Sequence, residues 1–366
     1  MGNLFKKIQL LSKLPLFKLG YKSGSPIILP SNITVSLLYR CNSRCHTCNV
    51  YTRKADILTL EEFDQIFKSM GKAPFWFTFS GGEPFLRKDI ADVIRCAYDH
   101  TKPGVINIPT NGLLFERIPV EAEKIISHCK ESDVIINLSL DQIGEEHDKI
   151  RNVPGNWEKS MKTFKALREL KKYPNFTLGI HTVISNFNVH QFPEFYPKLV
   201  EMMGADSFIT EIAEERNELL TIGTGITPKL EDYRNAIAVL KKEMRERKTS
   251  GVASIASAFR YEYYELVQKI LEYQKQVIPC YAGHISCQIS AEGEIWPCCI
   301  RADSMGNLRD NDYDFTKVWK SHTASKIRTS IKNRECHCPL ANASYTNMLV
   351  SEKTVAKVVK NLIVKN

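Results

Sequence analysis

The sequence predicts an α/β protein: a partial (β/α)6 TIM-like barrel followed by a small cysteine-rich α+β domain. Two observations predict the barrel. Strand-like runs alternate with helix-like stretches over residues 31–215, and six such runs are too few for a closed eight-stranded barrel. A third observation predicts the smaller domain, because six of the eleven cysteines lie in a loop-rich stretch after residue 279.

The barrel strands are predicted from short runs rich in β-branched and aromatic residues. They are residues 33–39, 75–80, 105–110, 134–140, 177–184 and 207–212. Helical stretches such as LEEFDQIFKSM and KDIADVIRCAYDH separate them, which is typical of parallel strands joined by right-handed crossovers. Chemistry in such folds lies at the carboxyl ends of the strands, so the residues that follow each strand are the functional candidates.

Changes of pattern divide the chain into five predicted segments. They are an N-terminal segment (1–30), the barrel (31–215), a helical connector (216–276), the cysteine-rich domain (277–345) and a C-terminal helix (346–366). Both terminal segments are basic and amphipathic, and we expect the first helix to be interrupted at Pro15. Such ends suit an anionic membrane surface, but helices docked on the protein body with their lysines in water give the same pattern.

The net charge of +9 is confined to the N-terminal part of the chain, because nine Lys or Arg and no acidic residue precede Ala55. The rest of the chain is neutral, so no nucleic-acid partner is expected. No apolar run approaches the ~20 residues that span a bilayer, and the chain does not begin with a signal peptide. We therefore expect a cytoplasmic protein, with the inner face of the membrane as the place where the basic ends would act.

Clustered cysteines indicate metal binding, whereas isolated Cys96 and Cys129 are predicted to be buried thiols. Disulfides are disfavoured in the cytosol. Cys41, Cys45 and Cys48 follow the first predicted strand in a CxxxCxxC pattern. Three thiolates at this spacing can hold a [4Fe–4S] cluster and leave one iron open, whereas a structural zinc would need a fourth ligand from elsewhere.

This loop resembles that of the radical S-adenosylmethionine (SAM) superfamily, in which CxxxCxxC follows the first barrel strand and holds a [4Fe–4S] cluster that binds SAM. The resemblance continues with SGGEP at 80–84, TNG at 110–112, SLD at 139–141 and SNFN at 185–188. It implies that seven residues lie around SAM: Gly81, Gly82, Glu83, Asn111, Ser139, Arg151 and Ser185. Thr47 departs from the pattern, because the residue before the third cysteine is usually aromatic and packs on the adenine.

The late cysteines resemble the SPASM/twitch extension of the same superfamily, which opens with Cys-x12-Gly-x4-Cys. Cys280, Gly293 and Cys298 fit that spacing, and the run SAEGEIWPC predicts a hairpin centred on Gly293 between the two cysteines. The resemblance implies one auxiliary [4Fe–4S] cluster, with four ligands: Cys280, Cys298, Cys336 and Cys338. The last pair is Cys-x-Cys where Cys-x2-Cys is usual, so Cys287 and Cys299 are alternative ligands and a structural zinc is an alternative metal.

The resemblance implies an enzyme that reductively cleaves SAM to a 5′-deoxyadenosyl radical, with electrons from a donor such as flavodoxin or ferredoxin. We expect it to abstract hydrogen from a small-molecule, sugar or lipid-linked substrate and to oxidise it with help from the auxiliary cluster. Only 40 residues precede Cys41, too few for a leader-peptide-binding domain, so a peptide-modifying maturase is the alternative. A non-catalytic iron–sulfur or zinc scaffold is the alternative from another class. Glu211, at the end of the sixth predicted strand, is a candidate proton acceptor.

Overall fold

The computed structural model describes residues 2–246 and 251–365, without the side chains of 2–5, 251–253 and 363–365. Eight strands form one sheet: β1 (Asn32–Ser36), β2 (Trp76–Ser80), β3 (Val105–Thr110), β4 (Asp133–Ser139), β5 (Phe176–Ile184), β6 (Ser207–Ile212), β7 (Ser286–Ile289) and β8 (Ile295–Trp296). Their order is β6-β5-β4-β3-β2-β1-β7-β8. Only β8 runs antiparallel to its neighbour, so the predicted parallel barrel of six strands is confirmed.

Thirteen α-helices accompany the sheet in the described part of the chain. They are α1 (Gly2–Ser23), α2 (Leu60–Met70), α3 (Ile90–Thr101), α4 (Arg117–His128), α5 (Glu145–Arg151), α6 (Asn156–Arg168), α7 (Phe192–Met203), α8 (Leu230–Glu246), α9 (Gly251–Tyr273), α10 (Phe315–Trp319), α11 (His322–Lys332), α12 (Ala341–Val350) and α13 (Glu352–Lys365). None of the helices described is long and apolar enough to cross a bilayer.

Helix α2 shows how the crossover helices fix the two faces of the sheet. It begins at a capping box, in which Thr59 and Glu62 bond each other's backbone N–H groups. Its buried Phe67 lies against the rings of Phe77 and Phe79 on β2. Because side chains alternate along a strand, the intervening Thr78 points to the other face, into the barrel interior.

Strand β1 is shorter than predicted, because it ends at Ser36 instead of Tyr39. The apolar residues that follow are still buried, but their backbone bonds the loop after β2 instead of continuing the ladder. Gly82 N–H donates to Leu38 O at 2.7 Å, and Glu83 N–H donates to Arg40 O at 3.1 Å. The burial of this segment therefore reflects loop packing next to the first cysteine motif.

The cysteine-rich region continues the main sheet. β7 pairs in parallel with β1, in the register Asn32 to Ser286. The predicted hairpin is confirmed, because β7 and β8 are joined through Gly293, whose φ of +90° suits glycine. Arg309 adds a second connection, since its guanidinium donates to both carboxylate oxygens of Glu62 at 2.7 and 3.0 Å.

The two chain ends differ from their predicted form. α1 is one continuous helix, so the interruption expected at Pro15 is wrong. Pro15 and Leu11 are both exposed, and water can therefore satisfy the Leu11 carbonyl that proline leaves without a donor. The single helix predicted from residue 346 is instead α12 and α13, which are separated at Ser351. The apolar faces predicted for the two terminal helices include Leu4 and Ile363, whose side chains lie outside the described residues.

We expect Arg309→Met to lower the free energy of unfolding by about 1.5–3 kcal/mol, because Glu62 loses two charge-assisted hydrogen bonds. Glu62 is only 13% exposed, so water replaces those bonds poorly. Urea unfolding of the reconstituted protein measures the change. Lys317→Met is the control, because its pair with Asp312 is fully in solvent and its loss should change little. Equal effects of the two substitutions would contradict this role of Arg309.

Candidate active site

The first three cysteines lie on the loop that follows β1, at the carboxyl edge of the sheet. The Ser43 N–H donates to Cys41 Sγ at 3.4 Å, and the Ser43 hydroxyl lies 3.1 Å from Cys45 Sγ. Burial raises the pKa of the Cys41 thiol to about 11 and that of the Cys48 thiol to about 12. Thiolates here therefore need added positive charge, which a bound iron–sulfur cluster supplies.

The spacing of the cysteine sulfurs does not match a zinc site. The sulfurs of a tetrahedral zinc lie about 3.8 Å apart. Among the described residues, the one group of Cys, His, Asp or Glu ligand atoms within 4.8 Å of one another is Asp64, Cys96 and His100. Among the described residues neither cysteine set forms such a group, so neither is held at the spacing of a zinc site.

The compact group on α2 and α3 is explained by ordinary hydrogen bonding. His100 Nε2 lies 2.7 Å from Asp64 Oδ1, and the Cys96 thiol donates to the same oxygen at 3.4 Å. Cys96 is thus half-buried and bonded to a surface ion pair. Cys129 is fully buried in the core, as predicted.

Glu83 is buried and joins the loops after β2 and β3. Its carboxylate accepts hydrogen bonds from Phe85 N–H at 3.2 Å, Thr110 Oγ1 at 2.8 Å and Asn111 N–H at 2.8 Å. Burial outweighs these donors and raises the pKa of Glu83 to about 7. All three of these hydrogen bonds come from the protein, which gives Glu83 an ordering role in both loops.

Gly81 and Gly82 allow the loop after β2 to approach the segment before Cys41. A Cβ on Gly82 would lie 2.2 Å from Arg40 O, and one on Gly81 would lie 2.1 Å from Leu38 O. Gly81 also has a φ of +116°. The close approach that these glycines permit is therefore to the protein's own backbone.

The side chains of Asn111, after β3, and Arg151, on α5, contact the loop that carries the first three cysteines. Asn111 Nδ2 donates to Asn42 Oδ1 at 2.8 Å and lies 3.6 Å from Cys41 Sγ. Arg151 Nη1 lies 3.8 Å from Cys45 Sγ. Arg151 Nε is buried without a hydrogen-bond partner among the described residues, so one donor of this side chain is unused.

The residues around Arg151 divide into two roles. Asp148 accepts from the N–H groups of Gly155 and Trp157 at 2.7 Å and so caps the start of α6. Asp141 has a further role, because its Oδ2 lies 2.8 Å from Arg151 Nη2 and aims that side chain.

Ser139 and Ser185 lie at the ends of β4 and β5. Ser139 is the register partner of His181 on β5. Ser185 is buried, and its hydroxyl accepts from the Phe187 N–H at 3.3 Å. The Phe187 ring lies 5.2 Å from the His46 ring, which places an aromatic pair beside Thr47.

A charged group inside the barrel contains one predicted residue and several that sequence reasoning missed. Glu211, on β6, lies 3.4 Å from His181 Nε2 and 3.8 Å from Arg216 Nη2. Arg216 also lies 3.2 Å from Glu214, whose two carboxylate oxygens have no hydrogen-bond partner among the described residues. These charged residues could have been predicted from the run EIAEERNE at 211–218, because its charges begin at the end of a predicted strand.

The carboxylates of this group have different proton affinities. Burial raises the pKa of Glu214 to about 8 against the attraction of Arg216, and burial also raises the pKa of Glu218. Burial acts on Glu211 too, but His181 and Arg216 outweigh it and lower its pKa below the ordinary value. Neighbouring acids with separated pKa values are typical of acid–base sites.

The segment that carries these charges contacts both cysteine regions. Leu219 O accepts from Asn49 N–H at 2.9 Å, next to Cys48. Asn217 N–H donates to Ile300 O at 3.2 Å, next to Cys299. The charged group therefore lies between the two sets of cysteines.

The second cysteine set surrounds a cavity. Its walls include Cys280, Cys336 and Cys338, and Cys298 packs in the same small cluster as Cys338. Arg301 Nη1 lies 3.9 Å from Cys336 Sγ. Of the two alternative ligands, Cys299 lies in that cluster, whereas Cys287 is buried on β7 in the main core.

Comparison with known families identifies this arrangement. The model of the radical SAM superfamily matches residues 35–199. The chain therefore carries a radical SAM domain and is an enzyme, which argues against the non-catalytic scaffold. The model of the SPASM iron-sulfur cluster-binding domain matches residues 280–339, so the chain carries that C-terminal extension as well. Its cofactors are a [4Fe–4S] cluster with SAM and auxiliary iron–sulfur.

Relatives act on different kinds of substrate. The AdoMet-dependent heme synthase of Methanosarcina barkeri is 25% identical over 312 residues, which is 80% of this chain and 82% of that protein. The antilisterial bacteriocin subtilosin biosynthesis protein AlbA of Bacillus subtilis is 22% identical, over 86% of this chain and 66% of its own. The crystal structure of Streptococcus suis SuiB, 17% identical with a TM-score of 0.60 over 86% of this chain and 71% of its own, shares the fold.

Glu83→Gln should lower the free energy of unfolding by about 2–3 kcal/mol, because an amide NH2 would face donors that now meet a carboxylate oxygen. The iron content after reconstitution should fall as well, since the loop beside Cys41 loosens. Glu121→Gln is the matched control, a buried acid on α4 that pairs with Lys124 away from the site. Urea unfolding and iron analysis should separate the two variants, and a common loss would contradict the ordering role.

Proposed function

We propose that this enzyme oxidises a hydroxyl-bearing small polar molecule, of the size of a sugar, inside the barrel. The observation that carries the proposal is the charged group between the two cysteine sites, with Glu211 ionised beside a neutral Glu214. Hydroxyl groups can donate to the first and accept from the second. A lipid-linked sugar has the same reactive group and is included in the test.

We infer that Cys41, Cys45 and Cys48 hold the cluster that binds SAM, because polar groups lie against the sulfurs of Cys41 and Cys45 and the Val50 backbone bonds that of Cys48. The unused Arg151 Nε suits the SAM carboxylate. The His46–Phe187 pair offers the adenine an aromatic surface where Thr47 cannot. When bound, the cluster and SAM supply a 5′-deoxyadenosyl radical that takes one hydrogen atom from the substrate.

The interior wall also supports a polar substrate. Asn137 Nδ2 donates to Asn107 Oδ1 at 2.7 Å, and Asn107 Nδ2 donates to Thr78 Oγ1 at 3.3 Å. Interiors of closed barrels of this type are usually filled by Val, Ile and Leu. A row of amides and hydroxyls across β2, β3 and β4 instead leaves hydrogen-bonding groups for a ligand with many polar atoms.

Glu211 is the proposed proton acceptor. Once a hydrogen atom has left the carbinol carbon, Glu211 would take the hydroxyl proton of the substrate radical. The auxiliary cluster, when bound, would accept the remaining electron, so that the alcohol becomes a carbonyl. His181 and Arg216 stabilise the Glu211 carboxylate before that transfer. We assign the auxiliary cluster to the four predicted ligands Cys280, Cys298, Cys336 and Cys338, because three of them line one cavity and the fourth packs beside it.

A peptide substrate is the second candidate function. It is favoured by the relatives, since AlbA is named for bacteriocin biosynthesis and one SuiB structure contains the precursor peptide SuiA. Glu211 and Glu214 would act in the same way on the hydroxyl of a serine side chain, so peptides are among the substrates to be tested.

Anaerobic reconstitution should give about eight irons per chain, and dithionite with SAM should release 5′-deoxyadenosine. Cys45→Ala should lose about four irons and all 5′-deoxyadenosine, whereas Cys336→Ala should lose iron but still cleave SAM. Cys96→Ala is the control that should keep both, because its thiol bonds only a surface ion pair. Unchanged SAM cleavage by Cys45→Ala would show that the cluster is assigned to the wrong residues.

Deuterium placed on the carbinol carbon of the true substrate should appear in 5′-deoxyadenosine. A panel of labelled polyols, sugars, lipid-linked sugars and serine peptides identifies the class. Glu211→Gln should keep deuterium transfer but lower carbonyl formation by about 10²-fold or more, because the proton acceptor is lost. Glu201→Gln, an exposed acid on α7, is the control. Carbonyl formation at the parent rate in Glu211→Gln would refute its role.

The pH dependence of substrate binding tests the role of Glu214. Its raised pKa keeps the acid neutral below about 8, so substrate binding should weaken as the pH rises through that value. The dependence should disappear in Glu214→Gln, which is neutral at every pH. The apparent affinity for the substrate, measured from pH 6.5 to 9, reports the difference.

A further inference from the structure

Helix α1 has two apolar faces, and the protein body covers only one of them. Phe17 is 3% exposed and packs with Tyr281, Ile285 and Val350. On the opposite side, four apolar residues are 39–56% exposed: Ile8, Leu11, Leu16 and Leu19. Ile8, Leu11 and Leu19 recur at helical spacing, so they form one stripe that points away from the body.

Helix α13 extends this surface. Lys18 Nζ lies 2.8 Å from Glu352 Oε1, which places the start of α13 next to α1. Val355 and Val359, one turn apart on α13, are 37% and 48% exposed. We call the six apolar residues the terminal surface: Ile8, Leu11, Leu16, Leu19, Val355 and Val359.

The rim of the terminal surface is positively charged. Four exposed lysines of the two helices contribute: Lys22, Lys353, Lys357 and Lys360. The two helices together contain one acidic residue, Glu352, and Lys18 pairs with it. Among the residues that the structure describes, none of these four lysines forms an ion pair with an acidic side chain, so the terminal surface is an apolar stripe bordered by unpaired positive charge.

We propose that the terminal surface binds the headgroup region of an anionic phospholipid bilayer, with α1 lying in the plane of the interface. An apolar stripe with a lysine rim matches such an interface in both properties. A second copy of this chain fits worse, because it would bring one cationic rim against another. The proposal does not depend on the substrate, since it concerns another part of the molecule.

The docked orientation follows from where α1 lies. Lys6 Nζ donates to Pro103 O at 3.2 Å and to Glu131 O at 3.0 Å, which both precede a strand of the sheet. α1 therefore crosses the amino edge of the sheet, opposite the loop that carries Cys41. A bilayer bound there leaves the candidate active site open on the side away from the lipid.

Sedimentation of the reconstituted enzyme with phosphatidylglycerol vesicles tests the proposal, with phosphatidylcholine vesicles as the neutral comparison. We expect binding to the anionic vesicles that is at least tenfold tighter than to the neutral ones and that weakens with salt. Leu11→Ser with Leu19→Ser should weaken it about tenfold or more. The triple variant Lys22→Glu, Lys357→Glu and Lys360→Glu should also lose at least tenfold.

Two matched controls separate this surface from general effects. Val120→Ser with Met202→Ser removes equally exposed apolar side chains elsewhere and should bind like the parent. Lys159→Glu, Lys165→Glu and Lys198→Glu makes the same charge change on α6 and α7 and should reduce binding less than threefold. All variants should form 5′-deoxyadenosine at the parent rate, which shows that they are folded.

The proposal is overturned if the parent enzyme binds both lipids equally or if the terminal-surface variants bind as the parent does. It is also overturned if the parent forms a dimer that Leu11→Ser with Leu19→Ser dissociates and no vesicle binding is found. In that case a second copy covers the surface.

Discussion

The buried carboxylate of Glu83 holds together the loops at the carboxyl edge of the sheet, where the candidate active site lies. A carboxylate away from water is stable only when donors surround it, and the loops after β2 and β3 provide three. The same loops then fix the cysteine loop through Gly82 N–H on Leu38 O and through Asn111 on Asn42. One side chain thus sets the positions of three loops that come from three separate strands.

The two cysteine sites share one rigid frame. Ser36 on β1 and Gln288 on β7 both donate to Glu218, at 2.6 and 2.5 Å. Glu218 belongs to the segment that carries Arg216, so the interior charges are fixed to the same two strands. A substrate in the barrel would therefore meet groups whose distances to both cysteine sites are set by the sheet.

Local sequence patterns predicted the strands and helices well. They did not predict which segments, far apart in the chain, contact each other. The six barrel strands and the Gly293 hairpin follow from short runs of sequence. Arg216 and Glu214 were missed because their segment turns inward through backbone bonds to Asn49 and Ile300, which lie far away in the chain. The interruption predicted at Pro15 was wrong because the effect of this proline depends on which side of α1 is exposed, and periodicity alone does not show that.

The pairing of β7 with β1 has a consequence for how the chain reaches this structure. During synthesis β1 leaves the ribosome long before β7, because strands β2 to β6 lie between them in the chain. The nascent chain therefore carries β1 with one unpaired edge until β7 is made, and such an edge invites pairing with other chains. Completion of the sheet waits for β7, so a chain that stops before residue 286 leaves this edge permanently open.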